Sequence, residues 1–244
     1  MATATAIIIT TVIMSIDAVK LLRLQSWLSP AFPTGAFSYS HALEWAVEDG
    51  TVTDRAALVD WLDADIRHGS GRSDAILLAC AHRALALPGL DDFLAVAELA
   101  GALRATSEFA LEAGQQGTAF LSTIRKAWPG AALDAAATAL AARRITPALP
   151  IATAIACAAH AIPLSLALPA YLHATAANLV NAAVRLVPLG QTDGQIAIAA
   201  LEPAIIDTAR EAEAARLDEI GSAAFTIDIA SMRHETQYTR LFRS

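Results

Sequence analysis

The 244-residue chain is 55% hydrophobic with a mean hydropathy of +0.47, enough for a large core, though much of the apolar count is alanine, which favours helices and close packing but buries little area per side chain. Its net charge of −7, with Lys20 and Lys126 the only lysines, argues against nucleic acid, whose phosphates call for a positive footprint. Cys80 and Cys157 are too few and too far apart for a disulfide framework, and the reducing cytosol fits them.

Residues 1–19 hold a short apolar run without the positive n-region or cleavage site of a signal peptide, and are expected to be a poorly ordered leader. Leu21, Leu22, Leu24 and Leu28 predict a short helix over Lys20 to Trp27 that Pro30 stops. Pro30, Pro33 and Gly35 then make a stiff elbow, with helix resuming from about Ser38 through Leu43 and Trp45 to Gly50. Thr53-Asp54 caps the next helix, in which Leu58, Trp61, Leu62 and Ile66 recur on one face. Gly69 and Gly71 break it, and Ser73 caps another that carries Ile76, Leu77, Cys80 and Leu85 as far as Pro88-Gly89. Asp91 opens a long helical segment, interrupted or continued near Thr106-Ser107, that ends at Pro129-Gly130.

The alanine-rich helix Ala131 to Arg144 comes next. From Ile145 to Val184 no residue is formally charged, which raises the question of membrane helices, but Pro147, Pro150, Pro163 and Pro169 are expected to cut the run into pieces too short to span. The longest core helix is predicted between Pro163 and Val187, and Thr192-Asp193 is expected to cap a final one from Gly194 to Glu219. Strand-like alternation is confined to the leader and Ala223 to Ile229, so the fold class is all-α, a single-domain helical bundle of about ten helices. The expected organisation is a leader over 1–19, a helical domain over 20–224 and a tail over 225–244.

No catalytic constellation is evident. His41 and Glu44 stand at i, i+3, a spacing metal sites use, but they bring no visible third ligand; surface or interface roles lead over a metal-dependent enzyme. Cys157 with His160, and Cys80 with His82, are better read as core. The Gly190 to Gly194 loop follows a helix and lacks the lysine and hydroxyl of a P-loop, and Ser38 and Ser40 have no identifiable base. Gln191, Asp193 and Gln195 present donors and acceptors beyond the needs of capping, and Asn178 and Arg185, at i, i+7, face one side. Glu108 and Glu112 read as a solvated i, i+4 acidic face. The tail is of another kind: Met232, Arg233, His234, Tyr238, Arg240, Leu241 and Phe242 are the residue types of interface hot spots, and a partner is favoured over docking on the chain's own domain.

Three stretches carry a resemblance: the elbow with Phe37-Ser38-Tyr39-Ser40-His41-Ala42-Leu43-Glu44, then Asn178 to Gln195, then Met232 to Ser244. In this order they resemble the urease accessory protein F family, over roughly Leu21 to Ser244, with Ala42 where that family more often has glycine. The resemblance implies an all-helical, non-enzymatic, dimerising cytoplasmic adaptor without a cofactor or metal site of its own. It would pair with the accessory D (also called H) protein and recruit the nickel-carrying accessory G GTPase, gating it so that nickel reaches apo-urease. Neither nucleic acid nor membrane belongs to that picture. The matching positions are Tyr39, His41 and Glu44 for an elbow surface, Arg185, Gln191 and Asp193 for the loop, and Arg233, His234, Glu235, Tyr238, Arg240 and Phe242 for the tail. Deleting Arg233 to Ser244 is then expected to leave the domain folded and abolish partner capture. A helical scaffold unrelated to urease is the other alternative.

Overall fold

The computed structural model describes residues 17–244, so all but the last three residues of the expected leader lie outside the described residues. Asp17 caps the first helix, α1 (Ala18–Trp27), by accepting the Val19 N–H at 3.0 Å. There follow a 3₁₀ turn (Ala36–Ser38), α2 (Leu43–Glu48), α3 (Arg55–His68), α4 (Ser70–Ala84) and α5 (Asp91–Ala102). The remaining helices are α6 (Ser107–Ala127), α7 (Ala131–Arg143), α8 (Leu149–Ala159), α9 (Leu164–Leu186), α10 (Gln191–Ala214), a 3₁₀ turn (Leu217–Glu219) and α11 (Phe225–His234). The fold is all-α, with no strand among the described residues.

The hub is α4. Ala75 through Ala79 and Ala81 are buried, and α3, α5, α8, α9 and α10 all pack against this helix. Small side chains permit so many neighbours, because alanine lets helix axes approach closely. Behind it α8 is buried from Pro150 to Cys157, which explains the long uncharged run as interior rather than membrane. No described helix is long and apolar enough to cross a bilayer.

Several elements depart from expectation. Pro169 lies within α9, which continues unbroken for 23 residues, so this proline does not divide the run. Gly69 separates α3 from α4 by itself, leaving Gly71 and Ser73 inside α4. The cap of α10 is Gly190, and Asp193 serves from the third helical position by accepting the Gly190 N–H at 3.3 Å. That helix ends at Ala214 rather than Glu219. Ala223 to Ile229 leads into α11 and not into a strand, and α11 gives the tail a helical start that its mixed composition hides. Thr106 does interrupt the long segment, capping α6 through its hydroxyl on Phe109 N.

One glycine is required by packing. A methyl group at Gly117, midway along α6, would collide with the Pro147 carbonyl and the backbone of Ala148 and Leu149 where the chain enters α8. Helix propensity alone would make Gly117→Ala stabilising by about 1 kcal/mol. The contact reverses the sign: this variant is expected to lose about 1–3 kcal/mol in urea denaturation, and a gain would show that α6 and α8 are less closely apposed.

Candidate functional site

The three stretches that carry the resemblance meet at one place. The elbow descends from Gly35, at φ +79°, into the 3₁₀ turn and then passes two successive left-handed residues, His41 at +53° and Ala42 at +66°. This region suits a residue without a Cβ, which gives a physical reason for glycine at position 42; alanine here is strained. The kink means that His41 precedes α2 rather than lying on it. His41 and Glu44 consequently share no helix face, and the metal-pair reading fails on geometry.

Their side chains go to separate partners. His41 lies flat on Phe109 with ring centroids 3.9 Å apart, and its Nδ1 is 3.2 Å from Glu112 Oε2. Its Nε2 is 2.7 Å from Ser70 Oγ, whose own hydrogen goes to Asp65 Oδ1 at 2.8 Å. Burial pulls His41 towards neutrality, but the charge and hydrogen bond of Glu112, with Asp65 and Asp74 behind, prevail and lift its pKa to about 9. Both ring nitrogens therefore donate. Ser70, His41 and Glu112 have the connectivity of a hydrolytic triad without its protonation: the imidazole has no lone pair for the hydroxyl proton, which Asp65 already receives. Burial raises Glu112, but His41, Ser244 and Arg104 together bring it below its usual range.

Glu44 holds the tail. Its Oε1 accepts the Leu241 N–H at 2.6 Å, and its Oε2 accepts the Phe242 N–H at 2.9 Å and faces His234 Nε2 at 3.1 Å. His234 is completely buried and places Nδ1 2.7 Å from Glu108 Oε2, while Arg240 donates to Glu108 Oε1 at 2.7 Å. The Ser244 hydroxyl donates to Glu112 Oε2 at 2.7 Å, and the Ser244 main-chain oxygen accepts from Ser40 N and Oγ. The Arg243 N–H returns to the Ser38 carbonyl at 2.9 Å. Above these bonds the Arg185 guanidinium of α9 sits between the rings of Phe37 and Phe242, at 3.9 and 4.2 Å, and donates to the Phe37 carbonyl. Asn178 donates to the Ala36 carbonyl, so both α9 residues do face the elbow.

The residues singled out from sequence thus divide. Tyr39, Glu44, His234 and Phe242 are buried and His41 largely so; Tyr39 donates to Gln115 Oε1. The expected elbow surface is an interior that clamps the tail. Arg240 is half-exposed on Glu108, while Arg185, Gln191, Arg233, Glu235 and Tyr238 are exposed, with Glu235 accepting from Ser107 Oγ. Asp193 pairs with Arg55 of α3 at 2.7 Å, at the turn between α9 and α10. The tail docks on its own domain through residues 231–244, the alternative that its composition ranks second to an intermolecular role. Glu108 and Glu112 are each 9% exposed, so the solvated acidic face is corrected to the centre of the network. A sign was available: Glu112 and Gln116 fall in line with Phe109, Ala113 and Phe120, the buried stripe of α6.

Fold and site together define an all-α protein that uses buried carboxylates to hold its own terminal segment. The family model UreF matches residues 52–202. The urease accessory protein UreF of Rhodopseudomonas palustris is 51% identical over 228 residues, covering 93% of this chain and 94% of that protein. Proteins of the same name from a Bradyrhizobium species and Xanthobacter autotrophicus are each 50% identical, covering 94% and 93% of this chain and 94% and 92% of their own lengths. The chain belongs to the UreF family of urease accessory proteins, which sets aside an unrelated helical scaffold.

Two consequences can be measured. A histidine held above its unfolded pKa of 6.5 contributes stability that is complete below pH 6.5 and lost as pH rises through about 9. Glu112 works in the other direction, its contribution present above 4.5 and lost as pH falls through its lowered value. The Tm is therefore expected to fall between pH 6.5 and 9, with a flatter profile in His41→Gln; parallel profiles would contradict the pairing. His234→Ala leaves Glu44 and Glu108 without their shared partner and is expected to cost about 3–5 kcal/mol in urea unfolding, with the tail exposed to trypsin at Arg240 and Arg243. A loss under about 1 kcal/mol would mean that the network does not secure the tail.

Proposed function

We propose that this protein is the adaptor of urease maturation: it binds the accessory D/H protein, recruits the nickel-carrying accessory G GTPase and gates its hydrolysis, so that nickel is inserted into apo-urease. It is a cytosolic, dimerising adaptor that catalyses no reaction of its own. Family membership supports the pathway. The observation that carries the adaptor reading is what the clamped tail leaves outside. With Phe242 and His234 turned inward, Tyr238 stands fully exposed and Leu241 mostly so, and on α11 Phe225, Ile229 and Met232 line the outer face at i, i+4 and i+7. Large apolar and aromatic groups held rigidly at a surface contribute most to association, because little side-chain entropy remains to be lost.

The elbow, Arg185 and the tail act as a unit in this reading, the buried members shaping the surface and the exposed ones touching the partner. Arg233 and Glu235 flank the apolar face with charge, and Gln191 and Asp193 belong to a second contact at the α9–α10 turn. The two free buried thiols, Cys80 and Cys157, suit the cytosol, and burial pushes the Cys157 thiol up to about 12.

Deleting the tail is a poor test, since it would strip Glu44 and Glu108 of their partners and Glu112 of Ser244, and is expected to destabilise the domain. Tyr238→Ala combined with Leu241→Ser removes exposed groups only. In co-expression with the accessory D/H and G proteins, this variant is expected to keep its Tm and lose most co-purification, about 2 kcal/mol or more of binding, together with control of the GTPase. Undiminished capture would refute the role of this face. Turnover of a substrate by the purified chain, silenced by substitution, would refute the adaptor reading altogether.

A further inference from the structure

Beside the tail network lies a cavity of about 330 Å³. Its volume falls within the range of small-molecule sites, and it has two unlike walls. One is apolar and aromatic, lined by Trp27, Phe32, Phe109 and Phe120, with the Phe32 and Phe120 rings 5.2 Å apart and tilted by 47°. The other carries Asp74, Arg104 and Tyr171.

The hydrogen bonds of that polar wall are incomplete. Asp74 Oδ2 accepts the Tyr171 hydroxyl at 3.1 Å, whereas Oδ1 lies 2.8 Å from Arg104 Nη1 but receives no aligned hydrogen bond among the described residues. The Arg104 side chain is only 9% exposed, and its Nη2 meets no acceptor there; neither does Trp27 Nε1 on the facing wall. Buried donors left unpaired retain their full desolvation penalty, so Arg104 Nη2 and Trp27 Nε1 call for an acceptor, while Asp74 Oδ1, already in its ion pair, has a lone pair to spare for a donor. The complement accepts a hydrogen bond beside Arg104 and donates one beside Asp74.

Charge narrows the class further. Among the residues that line the cavity Arg104 and His41 balance Asp74 and Glu112, with Asp65 behind His41 engaged by the Ser70 N–H and hydroxyl, so an added ion of either sign would meet no free countercharge in the lining. We propose that the cavity binds a small neutral molecule with an amide-type head, carbonyl and N–H side by side against Arg104 and Asp74, on a flat apolar body lying against Phe109, Phe120 and Trp27. This inference is independent of the adaptor role.

Benzamide is a direct probe, with benzoate and benzylamine as isosteres of opposite charge and Ni²⁺ as a cation control, each titrated into the purified full-length chain by calorimetry. Saturable benzamide binding is expected, at least tenfold tighter than either charged isostere. Ala174→Phe adds bulk to the cavity from α9 while leaving Asp74, Arg104 and Tyr171 unsubstituted, and is expected to abolish binding while the circular dichroism spectrum and Tm are retained. Arg104→Met is expected to weaken it at least tenfold, and the Ala174 variant decides if this one does not fold. Tighter benzoate binding would make the cavity an anion site, and competition by Ni²⁺ would make it a cation passage. Either result overturns the proposal, as would absence of saturable binding, which leaves a cavity for water alone, or undiminished binding in Ala174→Phe.

Discussion

Three glutamates that face inward govern this structure. Glu44, Glu108 and Glu112 come from α2 and α6 and are each less than a tenth exposed, in a protein that otherwise builds its interior from alanine and leucine. A buried carboxylate is tolerated only with cations and donors around it, and nearly all of these arrive from two short segments: His41 from the elbow, and His234, Arg240, Ser244 and the Leu241 and Phe242 amides from the tail. The left-handed kink at His41 and Ala42 follows from this demand, since it turns the imidazole out of line with α2 and onto Glu112.

The helical scaffold supplies positions and little chemistry of its own. With α4 surrounded by neighbours, α9 and α6 present opposite sides of the same site: Arg185 and Asn178 over the elbow, Glu108, Glu112 and Gln115 beneath it. The Phe37–Arg185–Phe242 stack closes the assembly from outside, joining the three stretches of the resemblance in a single contact.

Most of the helices were legible in the sequence because proline, glycine and capping residues punctuate strong apolar periodicity, as Asp54, Thr106 and Pro129 illustrate. The elbow was legible as a bend but not as two left-handed residues, since nothing in a His-Ala pair announces positive φ. Pro169 misled because packing outweighs the hydrogen bond that its ring removes: Ala167, Leu168, Tyr171 and Leu172 around it are buried and keep α9 continuous. At the site the difficulty was one of pairing: Glu108 looks solvated until His234 and Arg240 are brought to it from more than a hundred residues away, and Glu112 until His41 and Ser244 reach it from either side along the chain. The hot-spot composition of the tail was noticed, but composition cannot tell which of its groups turn inward; His234 and Phe242 do, Tyr238 and Leu241 do not.

The distance along the chain between Glu44 and Phe242 has a bearing on biosynthesis. A ribosome releases the elbow long before it has made residues 234 to 244, so for most of translation Glu44 and Glu108 are in place while the imidazole, guanidinium and amide groups that meet them are still to come. Hydration must satisfy those acids in the meantime, so this end of the bundle stays wet until the tail arrives to take the place of water.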